Sequence, residues 1–300
     1  MTTTPSTHPA KHPVVFAEVL FDCFEDGSRV LGGAPFNVAW HLQAFGRNPL
    51  MISRVGNDPM GDEIARKMEG WGMRRDGLQR DPVHATGEVR IRLTNGQPDF
   101  TIADPRAYDF IEPLAGVELS PSLLYHGSLA LRHETCRKTL AILQQEHPAP
   151  VFMDVNLRRS WWDPAAVHDL LSRCRWVKIN EDELKTLSAD ASGGVTQMAE
   201  RMLERHALGA IVVTLGERGA FVLDAEGGKV DVAPAGRLEV VDAVGAGDAF
   251  ASVCILGIEQ DWPWNATLER AQQFASRLVV QRGAVIEDAA VYRAFLDQWT

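Results

Sequence analysis

Gly245-Ala246-Gly247-Asp248 is the densest patch of potential chemistry in the chain. Before it, Leu238, Val240 and Val241 form an apolar, β-branched run that reads as a buried strand end. After it, Ala249, Phe250, Ala251, Val253 and Cys254 suit a buried helix. The layout is strand, glycine turn, helix start, acid. Glycines let a backbone approach a ligand closely. The free N–H groups of a helix start face whatever lies there, and the macrodipole favours an anion. A carboxylate in the first turn would stand beside that anion. This combination suits phosphoryl transfer: amides hold the transferring group while the acid accepts a proton from the attacking hydroxyl. A plain βα turn is the competing reading. A dinucleotide turn would want Gly or Ala where Phe250 stands, and a P-loop would want Gly-Lys-Ser/Thr, which does not follow.

Residues 242–250 closely resemble the C-terminal signature of the ribokinase-type (PfkB) carbohydrate kinases, usually Asp-Thr-x-Gly-Ala-Gly-Asp. Ala243 stands where that Thr would be. The resemblance implies that Asp248 is the catalytic base and that Gly245, Ala246 and Gly247 form the anion hole. Gly32-Gly33-Ala34-Pro35-Phe36-Asn37 is similar to the family's N-terminal Gly-Gly-x-x-x-Asn, in the form its fructokinase-like branch uses. A plain capped helix is the alternative there. Ala17-Glu18-Val19-Leu20-Phe21-Asp22 resembles Gly-Glu-x-Leu-Ile-Asp, whose Asp holds sugar hydroxyls. Asp22, Gly32, Gly33 and Asn37 are therefore the implied sugar site. Phe100 either packs over the substrate or makes an ordinary core contact.

Further matches follow in family order. Asp154-Val155-Asn156-Leu157-Arg158 looks like Asp-x-Asn-x-Arg. Arg158 either meets phosphate, which guanidinium suits, or is tied to Asp154 or Asp163. Asn180 and Glu183 fit Asn-x-x-Glu, implying Mg²⁺ held with ATP partly through water; a helix N-cap explains the same residues. Thr214-Leu215-Gly216-Glu217-Arg218-Gly219-Ala220 matches the family's nucleotide loop. The implied ATP contacts are thus Asn180, Glu183, Thr214, Gly216, Gly219, Gly245, Gly247 and Gly283. Asp242 is the implied neighbour of a monovalent cation, K⁺.

These residues need a scaffold. Val14–Phe21 reads as a buried first strand ending at Asp22, since an α/β sheet places ligand-facing groups at strand ends. The stretch Gly32 to Asn37 is expected to open a helix running to about Phe45, with Gly46 as its stop. Leu50–Val55, Leu123–His126, Val151–Val155, Trp176–Ile179 and Ala210–Leu215 read as strands, with helices between several of them. Asn57 and Asp58 read as turn formers. Between 86 and 102, alternating Val89, Ile91 and Leu93 and the pair Asn95-Gly96 predict a hairpin. Such a hairpin has one wet face, which suits a lid. The expected fold is α/β: a three-layer ribokinase-like core with a mainly parallel sheet and a small β lid. Residues 1–13 are expected to be a disordered tail, His8 and His12 being solvated. The resemblance implies that residues 14–300 form the kinase domain, with lid segments at about 86–104 and 23–31.

A net charge of −10 argues against nucleic-acid or anionic-membrane partners, and no apolar run reaches the length of a membrane span. Four scattered cysteines without a Cys-x-x-Cys pair fit reduced thiols in a cytoplasm. The expected activity is transfer of the γ-phosphate of ATP to a primary hydroxyl of a sugar, with fructose to fructose 6-phosphate first. Ribose, 2-keto-3-deoxygluconate or a nucleoside is the alternative substrate, and a non-catalytic sugar- or nucleotide-binding relative the alternative class. Sugar and ATP are the expected partners, and a homodimer is allowed for.

Overall fold

The computed structural model describes residues 11–94, 97–158, 162–190, 192–234 and 239–299, and the backbone alone at 93, 94 and 97–99. The chain opens with β1 (His12–Phe16), β2 (Leu20–Phe24), β3 (Arg29–Gly32) and α1 (Ala34–Ala44). Then come β4 (Leu50–Gly56), α2 (Pro59–Gly70), β5 (Leu78–Asp81), β6 (Gly87–Thr94) and β7 (Gln97–Ile102). An alternating run follows: β8 (Pro121–His126), α3 (Glu134–Glu146), β9 (Val151–Asp154), α4 (Pro164–Leu171) and β10 (Trp176–Asn180). α5 (Glu181–Leu187), α6 (Val195–Arg205), β11 (Ala210–Thr214), β12 (Ala220–Asp224) and β13 (Lys229–Val232) complete the sheet. α7 (Ala246–Glu259), α8 (Trp264–Leu278) and α9 (Ala289–Trp299) close the chain.

Nine strands form one sheet in the order β13-β12-β11-β10-β9-β8-β1-β4-β5. From β11 to β5 every neighbouring pair is parallel; β12 and β13 run antiparallel at one edge. The period of two along each strand sorts side chains to two cores. Val15, Tyr125, Phe152 and Val212 face the core that holds α1, α7, α8 and α9. Val14, Phe16, Leu124, Met153, Val177 and Ile179 face the core that holds parts of α3 to α6. Helices on both faces of a mainly parallel sheet make the expected three-layer α/β fold. The strand order reverses at β1, where β4 lies on one side and β8 on the other. Ligands of such sheets bind beyond the carboxyl ends of the strands at that point.

A second sheet, β3-β2-β6-β7, rises from this edge. Its root is a small cluster of Leu20, Val89, Tyr108 and Leu129. The single strand expected over Val14–Phe21 is therefore two strands in two sheets, broken at Ala17-Glu18-Val19. All three residues of the break are buried, and it carries neither Gly nor Pro, so hydrophobicity runs straight through it. Asp22 consequently lies on β2, paired with Val30 and Val89, and not at the end of a central strand.

Three other expectations change. His12 is buried in β1 beside Arg74, so the expected tail loses its last residues; His8 lies outside the described residues. Phe100 makes no core contact in the hairpin, being 60% exposed. The expected turn at Asn95-Gly96 falls outside the described residues. Val240 and Val241 belong to no strand and are each 54% exposed; Leu238 lies outside the described residues. The amides of Val241 and Asp242 donate to the Val279 carbonyl at the end of α8 instead of to a strand. The segment before the glycine turn is thus a loop laid along a helix end.

Candidate active site

Gly245 caps α7 with φ 81°, and a Cβ there would stand 2.6 Å from the Ala284 backbone. Only glycine fits that conformation and that closeness. No side chain caps this helix, the Ala246 amide donates to the Ala243 carbonyl, and a helix start of this kind suits an anion. Asp248 sits in this first turn, half-buried.

Asn37 comes to it from the other end of the sequence. Gly33, with φ 110°, precedes α1, and a Cβ on it would stand 2.8 Å from the Glu18 carbonyl oxygen. This close crossing of the β1–β2 break fixes where α1 begins. Pro35 suits its first turn, and Asn37 follows, buried. Asn37 Nδ2 donates to Asp248 Oδ2 at 2.8 Å, while Asn37 Oδ1 has no partner among the described residues. Gly32 faces the Asp22 carboxylate.

Burial pushes the Asp248 carboxyl up to about 7. The Asn37 hydrogen bond opposes this, Asp154 adds to it, and the charges of Lys178 and Arg158 oppose it. Asp22 is also raised by burial, against the Arg158 charge. Arg158 is exposed, and its charge acts on Glu18, Asp22 and Asp248 together. It is not tied to Asp154 or Asp163. Asp154 is held by Lys178 at 2.7 Å, and Asp163 caps α4 through the amide of Ala166.

Asn180 and Glu183 form a reciprocal capping box at the start of α5. Asn180 Oδ1 accepts from the Glu183 amide at 2.9 Å, and Glu183 Oε2 accepts from the Asn180 amide at 3.0 Å. Glu183 Oε1 accepts from the Leu157 amide at 2.8 Å, fixing the loop that carries Arg158. Both carboxylate oxygens are therefore engaged with the backbone. This donor set suits a cation held through water more than direct coordination. Burial raises the Glu183 carboxyl, and Asp154 adds to the shift.

The remaining expected nucleotide residues fall in two groups. Thr214 pairs with Asn180 across β11 and β10. Gly216 and Gly219 follow with φ 60° and 89°. Asp242 Oδ1 accepts from the Val244 amide and Oδ2 from the Gly283 amide, which joins the loop before α7 to the loop after α8. Phe100 is on β7 of the second sheet, in register with Ile91.

Sequence reasoning missed two buried charges beneath this site. Lys178 interrupts the apolar run of β10, and Glu18 sits in the β1–β2 break. Charged residues are almost never fully buried without a purpose or a partner, so each was a readable signal. Burial raises the Glu18 carboxyl, and its Oε2 has no partner among the described residues.

The model of the pfkB family carbohydrate kinases matches residues 23–290. A fructokinase of Klebsiella pneumoniae is 31% identical over 262 residues, covering 81% of this chain and 83% of that one. A deoxyribokinase of Salmonella typhi is 24% identical over 265 residues, covering 84% and 82%. The solved fructokinase of Xylella fastidiosa with bound ATP superposes with a TM-score of 0.84 at 19% identity, covering 96% of this chain and 99% of that one. The topology, the order of the motifs and the span of the match agree from the second strand to the last helix: the chain belongs to the pfkB family of carbohydrate kinases.

Proposed function

We propose that this kinase transfers the γ-phosphate of ATP to the 6-hydroxyl of fructose. The observation that supports this most is the Asn37–Asp248 hydrogen bond. It joins the two glycine motifs across 211 residues of sequence, setting a hydroxyl-binding amide against a carboxylate at an anion-binding helix start. Asp22 and Asn37 hold sugar hydroxyls close to the Gly32-Gly33 backbone. Asn37 Oδ1 offers a free acceptor to one of them. Asp248 takes the proton of the attacking hydroxyl, and the amides of Gly245 to Gly247 face the phosphoryl group. Arg158 adds charge from the loop above.

The second sheet serves as the lid. Register puts Asp22, Phe24, Val30, Ile91 and Phe100 on one face. Phe24, Val30 and Phe100 are exposed there, an apolar cover for a sugar ring, and closure would exclude water. Thr214, Gly216, Gly219 and Gly283 line the nucleotide rim, with exposed Val240, Val241 and Val244 as an apolar surface for a flat base. Asn180 and Glu183 would hold Mg²⁺ through water; the ion neutralises phosphate charge when bound. Asp242 serves the loop, since both its oxygens accept amides and Ala243 offers no side-chain oxygen. The four cysteines stand as thiols, which supports a cytoplasmic setting.

ADP release with Mg·ATP tests the substrate against fructose, glucose, ribose, 2-deoxyribose, 2-keto-3-deoxygluconate and adenosine. Fructose is expected to lead by roughly tenfold or more in kcat/KM, as differential contacts to hydroxyls allow. A lead by 2-deoxyribose or another panel member would overturn the substrate and leave the kinase. Potassium is expected not to change the rate, and an absolute requirement for it would reverse the reading of Asp242.

A further inference from the structure

Lys178 is a buried cation beneath a helix start, held in its charged form by Asp154, Glu183 and Asp248 against the cost of burial. Val177 and Ile179 point into the core with α4 to α6, so alternation along β10 sends Lys178 to the opposite face, toward α7. Its residue is only 5% exposed, and its Nζ lies 2.7 Å from Asp154 Oδ2 on the neighbouring strand. A Cβ placed on Gly247 would come 3.3 Å from that same Nζ. The ammonium therefore lies directly under the first turn of α7. The N-terminal end of a helix carries positive partial charge and repels a cation. Stability does not explain the choice either, because a buried ion pair contributes no more than an apolar pair of similar volume and often less. A residue that breaks a local rule at such a place marks function. The glycine at 247 also gains a second reason: it makes room for the ammonium below, as well as for a phosphate above.

We propose that Lys178 is a positioning residue of the phosphoryl-transfer site: clamped by Asp154, it seats Gly247 and supplies a fixed positive charge under the turn that carries Asp248. The inference rests on Asp248 being the base. An arriving phosphate adds negative charge above the same turn, so the ammonium favours the bound state over the empty one. Asp248 is faced by Asn37 of α1, Tyr125 of β8, Asp154 of β9, Lys178 of β10 and Arg158 of the following loop. Of these, Lys178 and Arg158 favour its ionised form and Asp154 disfavours it. The Lys178–Asp154 pair thus acts on the base with two opposite signs.

The test is the pH dependence of kcat/KM, with melting temperature and ATP affinity followed in parallel. Wild type should gain activity through about pH 7, the value to which burial brings Asp248. Asp248→Asn should abolish that rise. Lys178→Met is expected to move the rise upward by about one pH unit, the reach of a nearby charge, lowering kcat/KM at pH 6 by about tenfold. Lys178→Arg, which keeps the charge, should restore its position. Asp154→Asn should move the rise downward. If Asp248→Asn keeps the rise, the base reading fails and this inference falls with it. If Asp248→Asn abolishes the rise but the Lys178 and Asp154 variants leave it in place, or shift it in the same direction, the base stands and Lys178 is only a core residue. Should Lys178→Met not fold, Asp154→Asn still decides: a rise that does not move down overturns the proposal.

Discussion

Asp248→Asn should lower kcat by roughly 10²–10⁴-fold, the usual worth of a positioned general base, and at the same time make the protein harder to unfold at pH 8. Both effects have one origin. The carboxyl sits at about 7 in the folded protein against an ordinary value of 3.8. The folded state therefore holds a proton between these values that the unfolded chain has released. Stability from this group is complete below about pH 4 and declines as pH rises, with the decline finished once the pH passes about 7. Ionising Asp248 in place at pH 8 costs on the order of 2–4 kcal/mol, allowing for partial solvent screening at a half-buried site. Asparagine carries no such cost and can keep a hydrogen bond with Asn37. Denaturant melts of both proteins at pH 8 and pH 4 check this. The variant should be the more stable at pH 8, and the gap should close at pH 4. Near-normal turnover by a folded variant would remove Asp248 from the base role. An equal gap at both pH values would show that its ionisation is not what destabilises the site.

Asn37 and Asp248 each stood out in the sequence because each lies beside glycines whose need is backbone-deep, while their contact with one another did not. Gly33 and Gly245 hold positive φ and leave no space for a Cβ, so chemistry and conformation select the same letters. The parallel core was readable for a related reason. Strands buried on both faces are continuous apolar runs, and β11, like β9 up to Asp154, is of that kind. The same property hid the break at Glu18. When two buried strands of different sheets follow one another, hydropathy does not fall between them, and only a lone acid marks the turn. Val240 and Val241 misled in the opposite way. They look like a strand, but their amides find the Val279 carbonyl at a helix end, a partner almost forty residues onward that no local pattern announces. Asn180 and Glu183 show a third case. One pattern supports both a cap and a nucleotide contact, and the capping box accounts for both side chains without a ligand.

Arg132→Met should destabilise the fold by roughly 3–5 kcal/mol, the range for removing one partner of a buried ion pair, and should weaken sugar use more than ATP use. Arg132 Nε and Nη2 each meet an Asp109 carboxylate oxygen at 2.7 Å, with side chains 3% and 0% exposed. Nη2 also donates to the Ala103 carbonyl just past β7, and the guanidinium lies over the Tyr108 ring. Asp109 in turn accepts from the Arg106 amide. Tyr108 belongs to the cluster at the root of the second sheet. One cation thus gathers the end of β7, the turn at 106–110 and the segment after β8 into a single foundation. Methionine would fill the volume but leave Asp109 buried without its charge partner, the expensive half of the exchange. Asn180 and Thr214, the proposed nucleotide contacts, pair across β10 and β11 and share none of these contacts. Unfolding by urea and paired KM measurements for fructose and ATP would check both halves. The expected pattern is a fall in midpoint with a raised KM for fructose and little change for ATP. A loss under about 1 kcal/mol, as for an exposed pair, would mean that water reaches Asp109 in solution. An equal rise in both KM values would mean that the second sheet does not act on the sugar alone. The expectation has a physical reason: a sheet rooted in so small an apolar cluster depends on its ion pair for its angle over the site, and that angle is what a sugar would feel.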